Sequence, residues 1–460
     1  MSRYRPNSSI FNLNRFVAGL AAILVMTSVT LSHASEVPAY VTAEDSSYKW
    51  DIVDTGEKFP VPGATTRLVK MTSQTWQNIP WWHWLGIIKP EEVRHPEHVL
   101  LVVVGGRNRD EIPKLPREAL MLSAVASRIG AIVAVLGQTP NQPLMEGRSE
   151  DALIAHTFAR YLETRDETWP LLLPMVKGTM RAMDTVQAVV KQEFGQNVQK
   201  FVVTGASKRG WTTWLVGAMD ARVSAIAPMV IDVLNMKAQM PHQVQCWGDY
   251  SGEIDDYTDL RLPQKLEEES SQALLKLVDP YSYRDRLTLP KLIILGTNDA
   301  YWPVDAINLY YKDLPGTNHV HYVPNTGHGL RGGGLGVAHA VGALFEATVA
   351  GKELPQLGWE TVAGEGQVSL KLRPGENVKV VRLWRAKSEA RDFRKADWSA
   401  TVIEPDNKNG DAMYEATVPL PEAGFIAFYG QATYGPSDVI STVDYGLCTT
   451  VRVLEAGQAK

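Results

Sequence analysis

Cysteine is nearly absent: the 460 residues hold two, Cys246 and Cys448. Two thiols cannot build a disulfide framework or, unaided, close a zinc site. In an exported chain they could form one disulfide. They could equally be two buried thiols, since free cysteine packs as a small apolar group. Clustered positive charge is missing as well. Lys and Arg number 46 against 51 acids, a net charge of −5 with no basic block. That excludes the phosphate-binding groove of a nucleic-acid partner. There is no internal repeat and no low-complexity linker. An apolar share of 45% and a charged share of 21% exclude a disordered chain, a coiled coil and a collagen-like fibre.

Long hydrophobic runs are scarce too, and the one at the N-terminus carries a message. Phe16 to Leu31 follows Arg3, Arg5 and Arg15, with no acid before Glu36, and ends in Ser32-His33-Ala34. Small residues there occupy the two positions that a signal peptidase reads. The pattern predicts a signal peptide over 1–34 and a periplasmic or extracellular protein. Cleavage would remove 34 of the 460 residues and three arginines, leaving 426 residues and taking the net charge from −5 to −8. Left uncleaved, the run would be a membrane anchor and the only membrane contact. It is slightly short for an apolar core of about 30 Å.

The rest reads as an α/β chain. HVLLVVV at 98–104 shows no alternation, so it is covered on both faces, as a strand inside a parallel sheet is. AIVAVL (131–136), KFVVT (200–204), VSAIAPMVI (223–231), PKLIILG (290–296) and HVHYVPN (319–325) continue the theme, with helical stretches such as 115–130 and 336–351 around them. Strands alternating with helices predict a mostly parallel sheet with helices on both faces. His319 and His321, two apart, face one side of their strand, and the expectation there is two half-exposed histidines rather than a metal site. An acidic segment over about 232–288 interrupts the rhythm and reads as a cap insertion. After Pro355, alternating runs about ten residues apart predict a β-sandwich over 356–460. The α/β unit then spans 35–355.

Gly205-Ala206-Ser207 lies between a buried strand and a helix, the context of a nucleophile elbow. The flanking residues must be small, and the helix N-terminus favours developing negative charge. The spacing is G-x-S-x-x-G, with Arg209 where a second glycine is usual and Gly210 one later, so a slightly opened elbow is expected. In this fold the order is Ser, acid, His. Asp299 follows the strand PKLIILG, and His328 lies in NTGHG after the next strand, where a general base can reach the serine. Asp232, at the end of the preceding strand, is an alternative acid. An oxyanion hole needs backbone N–H groups. Lys208 would give one, and Gly106 or Arg107 in the Gly105-Gly106-Arg107 turn the other, although an ordinary strand-to-loop turn explains those glycines equally well. Lys208 and Arg209 could bind a substrate carboxylate, or pair with Glu253, Asp255 or Asp256. Trp247 and Trp302 near the proposed loops suit an apolar, peptide or sugar substrate, and both could instead be packing residues. No cofactor or metal is expected.

GASKRGWTTWL (205–215), PMVIDVLN (228–235), GTNDAYWPVDA (296–306) and NTGHGL (325–330) resemble the PhoPQ-activated pathogenicity-related proteins across nearly the whole mature chain. The resemblance implies an α/β-hydrolase fold with an extra C-terminal β-domain, and Ser207, Asp299 and His328 as the matched triad. It also implies a link to envelope regulation and to resistance against cationic peptides, without an established substrate. The elbow spacing is similar, over six residues, to that of the glucuronoyl esterases. The expectation is an exported serine hydrolase acting on a small-molecule or peptide substrate through an ester or peptide bond. Two alternatives stand beside it: a non-catalytic binding or signalling protein on the same scaffold, taking cationic peptides, and a carbohydrate esterase.

Overall fold

A computed structural model describes residues 36–53, 63–109, 111, 118–406, 412–440 and 443–457. The signal-peptide expectation over 1–34 falls outside them. After a short helix α1 (Ala39–Thr42), strands β1 (Lys49–Val53), β2 (Ala64–Trp76) and β3 (Ile79–Pro90) form an antiparallel meander. Gln77 and Asn78 close the β2–β3 hairpin with φ of 48° and 62°, the left-handed pair that matches the twist of a two-residue hairpin.

The central strands are β4 (His98–Val103), β5 (Ile132–Leu136), β6 (Lys200–Ala206), β7 (Val223–Met229), β8 (Lys291–Gly296) and β9 (Asn318–Val323). Their order is β3-β5-β4-β6-β7-β8-β9. β3 runs antiparallel to β5, and the others are parallel. The unalternating sequences have a direct cause: both faces are covered. On β4, Val99, Leu101 and Val103 enter one core and Leu100 the other; on β8, Ile293 and Leu295 oppose Leu292 and Ile294. Helices α2 (Glu118–Ile129) and α9 (Gly334–Val349) close one core. α4 (Leu172–Phe194) and α5 (Lys208–Met219) close the other, with α3 (Glu150–Thr164) before them. Strand order reverses at β4, which has β5 on one side and β6 on the other, all three parallel. The carboxyl ends of β4 and β6 therefore flank a topological switch point, where open α/β sheets bind ligands.

Between β7 and β8 the chain leaves the sheet as α6 (Met236–Trp247), α7 (Asp255–Thr258), α8 (Glu269–Val278) and several single turns. This is the insertion that broke the sequence rhythm.

The C-terminal strands make two sheets. β10 (Gly358–Gly364), β11 (Gln367–Arg373) and β14 (Tyr414–Pro419) form a three-stranded antiparallel sheet. β12 (Val378–Ser388), β13 (Ser399–Ile403), β15 (Phe425–Tyr434), β16 (Tyr445–Cys448) and β17 (Arg452–Glu455) form the other layer. Leu370, Leu372 and Val418 share a core with Val381, Leu383 and Ala432. Gly430 opens the space for Leu372, since a Cβ there would lie 2.7 Å from that side chain. β16 pairs antiparallel with β9 at Cys448 and Val320, so one of the two sheets continues the central sheet, which reaches 14 strands. This corrects the reading of His319 and His321. Both are buried, at 4% and 7% exposure, because β16 covers the edge of β9 and α9 approaches His321. Burial pushes the His319 imidazole down to about 4 and also lowers His321, whose Nδ1 lies 2.8 Å from the Gly446 carbonyl. Both thiols are free and buried. Cys448 sits in β16, and Cys246 is on α6 against His242.

Candidate active site

Ser207 is the single residue between β6 and α5, with φ 59° and ψ −126°. Holding a non-glycine residue in that region costs on the order of 1–3 kcal/mol. The turn is held by Ser207 N–H donating to Met229 O at 2.9 Å. The extra residue before the second glycine does not open the elbow. Gly205 and Gly210 make the room: a Cβ on Gly205 would meet Arg209 O at 2.8 Å, and one on Gly210 would meet Ile231 at 2.6 Å. The Arg209 guanidinium extends to Thr139 O and Glu150.

His328 Nε2 lies 2.8 Å from Ser207 Oγ, and its Nδ1 lies 2.9 and 3.1 Å from the two oxygens of Asp299. Three strand ends thus supply one relay. Asp299 is buried at 8% exposure and also accepts from Tyr301 N–H at 2.9 Å. The Tyr301 ring lies against the imidazole, 4.2 Å between centroids at 32°. Asp232 is not part of this relay. Its carboxyl meets Tyr310 OH at 2.5 Å, and burial, together with the charges of Asp299 and Asp305, pushes it up to about 7.

Lys208 is the first residue of α5, so its backbone N–H stands at a helix N-terminus beside Ser207, a suitable oxyanion donor. Gly106, at φ 130°, and Arg107, which is exposed, follow the end of β4, alongside β6 with Val103 opposite Gly205. Gly105 lies against the Arg209 guanidinium, and Gln142 Nε2 donates to Gly106 O at 3.1 Å.

The two cations after the serine are already paired, though not with Glu253, Asp255 or Asp256. Lys208 Nζ lies 2.7 Å from Asp151 and 3.6 Å from Glu150. Arg209 forms a two-pronged pair with Glu150, at 2.6 and 2.9 Å, and donates to Thr139 O. Burial works against the Glu150 charge, but the Arg209 hydrogen bonds hold its carboxyl down at about 2. Arg209 is therefore a structural tie and not a free substrate-binding cation. Asp151 also accepts from Tyr257 OH at 2.9 Å and Tyr301 OH at 3.3 Å. Sequence reading missed Glu150, Asp151, Tyr257 and Tyr301. An acidic pair opening a helix is ordinary, and only the fold brings α3 to the elbow.

Above Ser207 is a cleft of about 850 Å³, open solvent included, bounded by α3, α5 and the insertion. Apart from Ser207, His328 and the Asp151–Lys208–tyrosine group its walls are almost wholly apolar. Phe158, Trp211, Met240, Leu274, Leu275 and Trp302 are among them. Trp302 lines the cleft and is buried. Trp247 does not: it lies outside the cleft, with the Arg394 guanidinium 4.2 Å over its ring. Among the described residues, His242, Cys246 and Asp305 bring ligand-type atoms within 4.8 Å of one another. Asp305 is already engaged by His242 at 2.8 Å and by Arg391 at 2.5 Å. A guanidinium at that position opposes a second cation.

A serine at a strand–turn–helix elbow, beneath an aspartate and a histidine from the loops after β8 and β9 of this sheet, defines an α/β-hydrolase. More narrowly, the chain belongs to the family described as PhoPQ-activated pathogenicity-related protein, whose pattern matches residues 37–394. It is 31% identical over 448 residues to autocrine proliferation repressor protein A of Dictyostelium discoideum, covering 90% of this chain and 89% of that protein. Solved structures similar to it include acetyl xylan esterase 1 from a Thermoanaerobacterium species, with a TM-score of 0.44, 19% identity, and coverage of 62% of this chain and 85% of that one. An S-formylglutathione hydrolase from Agrobacterium tumefaciens gives a TM-score of 0.43 at 13% identity, covering 65% and 99%.

Proposed function

We propose that the protein is an exported serine hydrolase that cleaves an ester or peptide bond beside a bulky apolar group. The carrying observation is the 2.8 Å approach of His328 Nε2 to Ser207 Oγ, with Asp299 on the other imidazole nitrogen. Ser207 Oγ attacks the carbonyl carbon while His328 takes its proton, and the imidazolium then protonates the leaving group. Asp299 holds the imidazole with Nδ1 as donor. Lys208 N–H stabilises the oxyanion, joined by an N–H of the Gly106–Arg107 turn.

The cleft supports an apolar substrate. An acidic cap could have received a peptide amine, but Asp151, the carboxylate lining the cleft, is satisfied by Lys208 and two tyrosines. Export rests on the 1–34 sequence, and a role in the cell envelope, including defence against cationic peptides, rests on the family. The test is intact-mass analysis after fluorophosphonate treatment, followed by a panel of p-nitrophenyl esters and aminoacyl amides. The expected result is one adduct on wild type and none on Ser207→Ala, with turnover rising with apolar acyl size. A folded wild type that takes no adduct would overturn the reading in favour of a binding protein on a hydrolase scaffold.

A further inference from the structure

We propose that residues 389–398, the loop between β12 and β13, are a clamp that sets the Asp299–His328 geometry, so that the C-terminal β region is part of the active-site apparatus. This rests on the triad reading above. Asn298, directly before Asp299, points its Nδ2 into three carbonyls of this loop: Ala396 O at 2.7 Å, Phe393 O at 3.2 Å and Arg394 O at 3.4 Å. Asn325, three residues before His328, exchanges two hydrogen bonds with the Trp398 backbone. Its Nδ2 donates to Trp398 O at 2.9 Å, and Trp398 N–H donates to its Oδ1 at 2.7 Å. One short segment therefore grips both triad loops.

The loops also hold each other. Thr297 Oγ1 donates to Asn298 Oδ1 at 2.7 Å and accepts from Asn325 N–H at 2.9 Å. Asn298 N–H donates to Thr326 O at 3.0 Å. Gly296 permits this closeness, since a Cβ there would lie 2.5 Å from Thr326 O. Around Asn298 and Asn325 these loops are rich in Gly, Asn and Thr, and their large packing side chains, Tyr301 and Trp302, lie on the far side of Asp299. The clamp is anchored by contacts of its own. Asp392 accepts from Arg394 N, Nε and Nη2 at 3.0, 2.9 and 2.6 Å. Phe393 and Trp398 are buried, and Trp398 lies 5.4 Å from Tyr429 on β15. Its outer end is tied to Asp305 through Arg391. A displacement of about 1 Å in a catalytic relay costs on the order of 100-fold in rate, so a rigid external template for both loops has a direct chemical effect.

The test uses the full chain with Asn298→Ala and Asn325→Ala, and Arg391→Gln as a milder variant that cuts the outer tie but keeps both asparagines. Val418→Ala, in the β11–β14 layer away from the clamp, controls for general destabilisation. Two readouts are needed: the kinact and KI of a fluorophosphonate, and the downfield proton resonance of the Asp299–His328 hydrogen bond, identified by its loss in His328→Ala. The asparagine variants should lower kinact about 10- to 100-fold, and Arg391→Gln several-fold. KI should stay within about twofold, with the resonance shifted or broadened, because none of the three substituted residues lines the cleft. Val418→Ala should lower Tm and change neither readout. Unchanged kinact and resonance in folded clamp variants would overturn the proposal, as would the same losses in Val418→Ala. A wild type that takes no adduct, yet whose resonance responds to the clamp variants, would overturn the hydrolase reading and leave the clamp standing.

Discussion

At the scale of single residues, environment separates two carboxylates that the sequence offers for one role. Asp299 is bonded to the imidazole, whereas Asp232 is buried against Tyr310 and pushed up to about 7. Asp299→Asn should lower turnover by about 10⁴, the scale seen when the imidazole loses its orienting acid. Asp232→Asn should stay within about tenfold, and steady-state kinetics on the best ester checks both. A second residue-scale prediction concerns His242. Burial opposes its charge, but the Asp305 hydrogen bond raises it to about 9. A folded-state value above the unfolded one means stability that is full below about pH 6.5 and is lost as pH rises through about 9. Relative to His242→Gln, wild type should therefore melt about 2–3 °C higher at pH 6 and show little difference at pH 10. A gap that widens with pH would contradict the assignment.

At the scale of elements, the elbow and the insertion divide the work. β6 and α5 meet at one strained residue, which is tolerated because Gly205 and Gly210 let backbone approach backbone. Gly205→Ala forces a Cβ to 2.8 Å from Arg209 O. It should cost several kcal/mol, of the order of overpacking in a core (about 1–3 kcal/mol or more), and should abolish fluorophosphonate labelling. Insertion helices α6 and α8 build the cleft wall through Met240, Leu274 and Leu275. Met240→Trp narrows the apolar space without touching Ser207 or His328. KM for long-chain p-nitrophenyl esters should rise about tenfold, the scale of one or two misfit methylenes, while acetate turnover is retained. Equal effects on short and long esters would count against the cleft as the acyl site.

For the whole molecule, the main fact is that β16 continues the sheet from β9. The C-terminal strands and the α/β unit then share hydrogen bonds, the clamp contacts and buried surface such as Tyr322 against Tyr429, 4.9 Å between ring centroids. Residues 36–457 should unfold in one calorimetric transition. A chain ending at residue 355 would expose β9 as a bare edge strand and should be recovered aggregated. Two separated transitions, or a soluble active truncation, would show that the C-terminal region is an accessory module.

The sheet strands are legible in the residues alone, because a strand buried on both faces leaves an unalternating apolar run. The elbow is legible as well, because a sharp strand-to-helix turn needs small residues beside Ser207, and so are the loops that carry Asp299 and His328 after two of the later strands. The remaining features depend on contacts that form only in the folded chain. Which acid reaches the imidazole depends on where two loops converge in space. Arg209 and Trp247 look functional in the text, but the fold gives one to Glu150 and the other to Arg394. His319 and His321 are buried by a strand more than 120 residues later in the chain. Asn298 and Asn325 look like turn residues, and only their approach to 393–398 reveals the grip on the triad loops. Local pattern records local backbone demands. Pairing of charges and closure of loops are set by contacts between residues far apart in the chain, and no spacing records them.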